Sequence, residues 1–145
     1  MRFDDFIMVA AAGFLATYVH MVFALWAPRF GLPRLDFAKA LAELSFGESF
    51  KGDPPYWLGL LALHLNGIVF ALLYATVLGP VLPGIALVRG LLFGAILLVG
   101  SQCLFVPIFL REGFFGLKDN PRAWMTAAVV HAIYGAIIGW LCPIL

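Results

Sequence analysis

Four stretches of this 145-residue chain contain no Asp, Glu, Lys or Arg. They are residues 6–28, 54–88, 90–110 and 123–145, and they are 23, 35, 21 and 23 residues long. A run of about 20 apolar residues crosses the hydrocarbon core of a bilayer as an α-helix. Lipid offers no partner to the backbone, so a spanning segment must bond its own N–H and C=O groups, as a helix does. Water is the wrong solvent for this chain. Hydrophobic residues make up 63% of it and charged residues 12%, where an ordinary soluble domain carries about 25% charged residues. A short chain also exposes a large fraction of its surface. A soluble enzyme and a disordered tail are excluded. So is a nucleic-acid binder, because net charge is only +1 and no basic run occurs.

The expected fold is all-α, a single transmembrane domain over residues 1–145. Four spans form an antiparallel bundle, with a short amphipathic helix at the interface. The first span covers about 6–27 and ends at Pro28, which cannot continue a helix. Asp4 and Asp5 spoil the basic region that a signal peptide would need, so this span is read as an uncleaved helix. In residues 35–46, Phe37, Leu41 and Leu44 form a one-sided apolar stripe too short to span, which suits the headgroup region. The 35-residue run is divided at Gly79-Pro80-Val81-Leu82-Pro83-Gly84. That gives spans at about 55–78 and 85–110, with a kink expected at Pro107. The fourth span covers about 123–142. Arg29, Arg34, Lys39, Lys51, Arg111, Lys118 and Arg122 fall on the side of the two long connections, and only Arg2 and Arg89 on the other. This asymmetry predicts long loops in the cytoplasm and both termini outside.

Small residues recur at four-residue spacing on every span: Ala12 and Ala16; Gly67, Ala71 and Ala75; Gly90 and Gly94; and Ala128, Ala132 and Ala136, with Gly135 and Gly139 beside them. Such faces let helix backbones approach closely, within one bundle or between subunits. Cys103 and Cys142 have no metal-ligand spacing and are read as small packing residues.

In so apolar a chain the polar side chains inside the spans carry the functional question. His20, His64, Gln102 (beside Ser101) and His131 each lie about eight to ten residues from the same end of their helices. At 1.5 Å per residue that is roughly 12–14 Å below one interface. Asn66, Tyr18, Tyr74 and Tyr134 could join them in an inward-facing polar belt. Three chemistries fit such a belt. Neutral groups can bond one another and fix helix register. His64, His131 and His20 can ligate a haem, a chlorin pigment or a transition metal, with His64 and His131 facing each other across a haem. Intramembrane ionisable groups can also line a proton or solute path.

The segments His64-Leu-Asn-Gly67, Arg89-Gly-Leu-Leu-Phe-Gly94, Gln102, Pro107, Gly113-Phe-Phe115 and His131-Ala-Ile-Tyr134-Gly135 carry a resemblance. They are similar to small four-helix bacterial membrane proteins of unknown function, the YagU-like inner-membrane group. The resemblance implies a bacterial cytoplasmic membrane and four spans, and carries no activity. No hydrolase, transferase or nucleotide-binding motif occurs. The expectation is a non-catalytic protein: an accessory or packing subunit of a membrane complex, or a homo-oligomer. A haem-, pigment- or metal-binding subunit in electron transfer and a small proton or solute transporter are the alternatives. The default is no cofactor, with the lipid bilayer and other membrane subunits as partners.

Overall fold

An apolar backbone with no water to bond has to coil, and the computed structural model, which describes residues 2–47 and 49–145, is helical in all five of its long elements. Helix α1 (Phe3–Trp26) starts at Arg2, with Asp4 and Asp5 in its first turn. Acidic side chains there oppose the positive end of the helix dipole. Asp5 also accepts from the Arg2 backbone N–H at 3.0 Å. The helix tightens into a 3-10 turn (Ala27–Phe30) at Pro28 and stops at Gly31, whose φ of 74° lies in the left-handed region.

Helix α2 (Phe37–Phe46) is capped by Asp36, which accepts from the Lys39 N–H at 3.0 Å. Its Ala38 and Ala42 are buried as it packs along α3. Helix α3 covers Tyr56–Leu73 and continues as a π turn through Tyr74–Leu78. A Cβ at Gly59 would run into the Ala38 carbonyl oxygen, so the absence of a side chain there seats α2. The Tyr56 hydroxyl adds a hydrogen bond to Asp36 at 3.1 Å.

Helix α4 covers Ala86–Gly100 and continues, π-wound, through Ser101–Leu110 with Pro107 inside. Pro107, where a kink is expected, lies within ten residues of wider winding. Proline cannot donate to the helix ladder and its ring crowds the carbonyl four residues back. A wider turn moves that carbonyl away. Helix α5 runs Ala123–Leu141. With their terminal turns included, α1, α3, α4 and α5 are each long and apolar enough to cross a membrane.

The order of packing sets up the site. Helix α1 packs against α3 and α5, and α4 packs against α5, giving an arc α3–α1–α5–α4. The seam between α4 and α5 is made by the glycines read from the sequence. A Cβ on Gly90 would meet the Gly135 carbonyl, one on Gly94 the His131 carbonyl, and one on Gly139 the Ala86 carbonyl at 2.5 Å. Between α1 and α3, Gly67 lies against Thr17, and Gly13 against Ala71 and Gly67. These glycine-marked faces are therefore taken up inside one chain, whereas Ala132, in the alanine row of α5, is exposed. Thr126 Oγ1 donates to the Pro33 carbonyl at 2.7 Å, tying the start of α5 to the first long connection. At the opposite end, the Leu145 N–H donates to the Ala75 carbonyl at 2.9 Å.

Candidate functional site

Helices α3 and α4 stand at the two ends of the arc and meet where Tyr74, in the π turn that continues α3, packs on Phe93, ring centres 5.2 Å apart. Towards the end bearing the long connections they diverge, and a cleft of about 610 Å³ opens between them. Its walls are Ala62, Leu63, Asn66 and Phe70 of α3 facing Ile96, Gly100, Leu104, Phe105 and Phe109 of α4 and its π extension. Phe37, Ala40 and Leu41 of α2 roof it, and the lateral mouth includes the exposed Asn66, Ile96, Leu104 and Phe109. Long π segments are rare and tend to mark functional sites. Here the π winding supplies most of one wall.

The floor is polar and is built by the two central helices: Thr17 and His20 of α1, His131 and Tyr134 of α5. Each of these side chains has a definable hydrogen-bonding state. The Thr17 hydroxyl donates to the Gly13 carbonyl at 2.8 Å. The Tyr134 hydroxyl donates to the Gly67 carbonyl at 2.6 Å, crossing from α5 to α3. His131 Nδ1 lies 2.7 Å from the Ala127 carbonyl. A carbonyl only accepts, so Nδ1 carries the proton and, in a neutral ring, Nε2 presents a bare lone pair. His20 is 8% exposed. It stacks on Phe37 at 4.9 Å and meets His131 edge to face at 5.8 Å. Neither ring nitrogen of His20 has a hydrogen-bond partner among the described residues. The cleft floor therefore offers two acceptor nitrogens and one N–H without partners.

The Tyr134 bond gives a modest test of how the floor is held. Tyr134→Phe removes one interhelical hydrogen bond and should lower stability by about 0.6 kcal/mol, the average for such bonds in membranes. Unfolding titrations of helicity in mixed micelles read it directly. A loss several times larger would mean that the hydroxyl holds more than this contact.

The polar groups expected to form one belt separate into several places. His20 and His131 come together, with Tyr134, Asn66 and Ser101 also on the cleft surface. His64 faces away from them. Its ring packs on Phe14 at 4.6 Å, Nδ1 bonds the Leu60 carbonyl at 2.8 Å, and Nε2 is buried without a partner. Three residues turn a helix by about 300°, so His64 lies about 60° round from Gly67. That is enough to carry it out of the bundle interior and away from His131. A haem between His64 and His131 is thus not what this packing provides. Gln102 is buried, its amide 3.4 Å from Ser101 Oγ. Tyr74 sits in the apolar core, and Tyr18 is half-exposed on α1. Among the described residues no three His, Cys, Asp or Glu side chains cluster as metal ligands, and Cys103 and Cys142 are free thiols.

Several cleft residues carry little sequence signal. Gly100 belongs to no small-residue row, and Phe37 and Leu41 look like lipid-facing residues of an interfacial helix. Thr17 had a signal in principle, since Gly13-x3-Thr17 is itself a small-residue pair. A model of a family of unknown function, DUF6789, matches residues 3–145. No curated protein and no solved structure matches the chain.

Proposed function

We propose, on the premise that the chain belongs to DUF6789, a family of unknown function, that it is a non-catalytic membrane protein holding one lipid-soluble molecule in the cleft between α3 and α4. The observation that carries this reading is a pair of imidazoles, both with nitrogens lacking a partner among the described residues, at the base of a laterally open, apolar-walled space. These nitrogens face the cleft, and a ligand's polar end would supply the partner they lack. The volume, about 610 Å³, falls within the roughly 300–1,000 Å³ of small-molecule sites. A second subunit's helix, about 30 Å long and 10 Å across, would need over roughly 2,000 Å³.

The competing roles fit less well. An accessory subunit would present small-residue faces to its neighbours; the glycine-marked faces are occupied within the bundle, and the alanine row of α5, with Ala132 exposed, is the face left to serve one. A haem held by His20 and His131 would need its plane between two rings that already touch edge to face. An ion path would draw on charged groups, and among the described residues the lining contains no Asp, Glu, Lys or Arg. In this reading the charge asymmetry puts the long connections in the cytoplasm, so the cleft opens towards the cytoplasmic leaflet.

Protein purified from native membranes in mild detergent, then extracted with organic solvent, should yield about one non-phospholipid molecule per chain. An extract with only the bulk membrane lipids in bulk proportions would remove the proposal.

A further inference from the structure

We infer that the molecule held in the cleft is a neutral lipid whose head is a hydroxyl group, hydrogen-bonded between His131 Nε2 and His20. This rests on the cleft being the binding site proposed above. Three observations narrow the ligand to this class.

The first is charge. With no Asp, Glu, Lys or Arg among the described residues of its lining, the cleft has no permanent counter-ion for a phosphate, a carboxylate or an ammonium. Its polar floor lies roughly 12–14 Å below the nearer interface. A charged group at that depth costs at least about 2.5–3.5 kcal/mol without a partner. Phospholipids, ionised fatty acids and haem propionates are disfavoured together.

The second is the direction of the hydrogen bonds. The proton on His131 Nδ1 is committed to the Ala127 carbonyl, so the nitrogen left over can only accept. Neighbouring protons are committed as well: Thr17 donates to Gly13 and Tyr134 to Gly67. A ligand that satisfies His131 must therefore bring a donor; a ketone, ester or ether could accept from His20, Asn66 or Ser101 but would leave His131 Nε2 unpaired. The third is His20, beside His131 at 5.8 Å between ring centres, which offers an N–H as well as a lone pair. A hydroxyl is the smallest group that donates to one imidazole while accepting from the other. Apart from Asn66 and Ser101, the walls are mainly aliphatic and aromatic and suit a hydrocarbon tail.

Two kinds of membrane compound share this chemistry: quinols, with the hydroxyl on an aromatic ring, and aliphatic or isoprenoid alcohols. The test uses the full chain in phosphatidylcholine nanodiscs, with empty discs as the blank. Four probes are titrated: a decyl-substituted benzoquinol, its dimethyl ether, dodecanol and dodecyl methyl ether. In at least one series the hydroxyl compound should bind about tenfold more tightly than its ether, the factor that a hydrogen bond of about 1.4 kcal/mol carries. The series that shows the difference identifies the source. His131→Phe should level each pair, and the wild-type comparison stands by itself if that variant does not fold. Ethers that bind as tightly as alcohols, and are lost equally on Gly100→Phe, would overturn the hydroxyl inference and leave the cleft as the site. Failure of all four probes to bind would overturn the cleft reading and this inference with it.

Discussion

Gly90→Ala is expected to lower the stability of the folded bundle by about 1–3 kcal/mol, the range for forcing extra methylenes into a packed interior. Intrinsic preference points the other way, because alanine is favoured over glycine in a helix by about 0.8–1 kcal/mol. The contact decides the sign. A Cβ on Gly90 would overlap the Gly135 carbonyl oxygen and lie 2.5 Å from the Gly139 Cα. These neighbours are backbone atoms of α5, so no side chain can swing aside, and α4 and α5 must separate along their whole seam. Gly100→Ala is the matched control on the same helix, since nothing lies within 4 Å of its Cβ position. It should show only the favourable helix term. Denaturant titrations of helicity in mixed micelles should separate the two variants clearly. Equal stability for both would mean that α4 and α5 do not approach this closely.

The same seam shows how far the sequence could be read. Glycines four residues apart on residues 90, 94, 135 and 139 announce close backbone approach, because that spacing keeps them on one helical face. They do not announce which face meets which. Here the two glycine rows meet each other, while Gly67 is matched by Gly13 and Thr17. Depth along a helix was legible for the same reason that span boundaries were: it depends on counting residues at 1.5 Å each. Azimuth is less forgiving. An offset of about 60° separates His64, against Phe14, from the interior face marked by Gly67. The cleft had no signature at all. Helices α3 and α4 are consecutive, joined by a short Pro- and Gly-containing turn, and such neighbours commonly pack together. They do so at Tyr74 and Phe93, but the arc places α1 and α5 between their other ends. Helix order is a tertiary outcome, set by which small-residue rows pair, and that choice lies outside any single helix's pattern.

Gly100→Phe should strip the bound molecule from the cleft while leaving the bundle folded. Gly100 lines the cleft, half-buried, at the junction where α4 passes into its π extension. The open space around its Cβ position means that an aromatic side chain enters the cleft without displacing protein atoms. Replacing glycine also favours the helix, so unfolding should occur at equal or higher denaturant than in the wild type. The ligand meets the opposite situation. A phenyl ring projecting from one wall takes the volume that the tail would fill, and packed interiors accommodate extra atoms poorly. Ligand recovered per chain should fall at least about tenfold, which corresponds to losing about 1.4 kcal/mol of binding. Val99→Phe makes the discriminating comparison. Val99 is adjacent in sequence but 57% exposed and absent from the lining, so its ring projects into lipid and ligand recovery should match the wild type. Equal recovery from both variants would place the molecule outside the cleft. Loss from Gly100→Phe alone, with its stability intact, ties occupancy to the space between α3 and α4 and to the two imidazoles at its base.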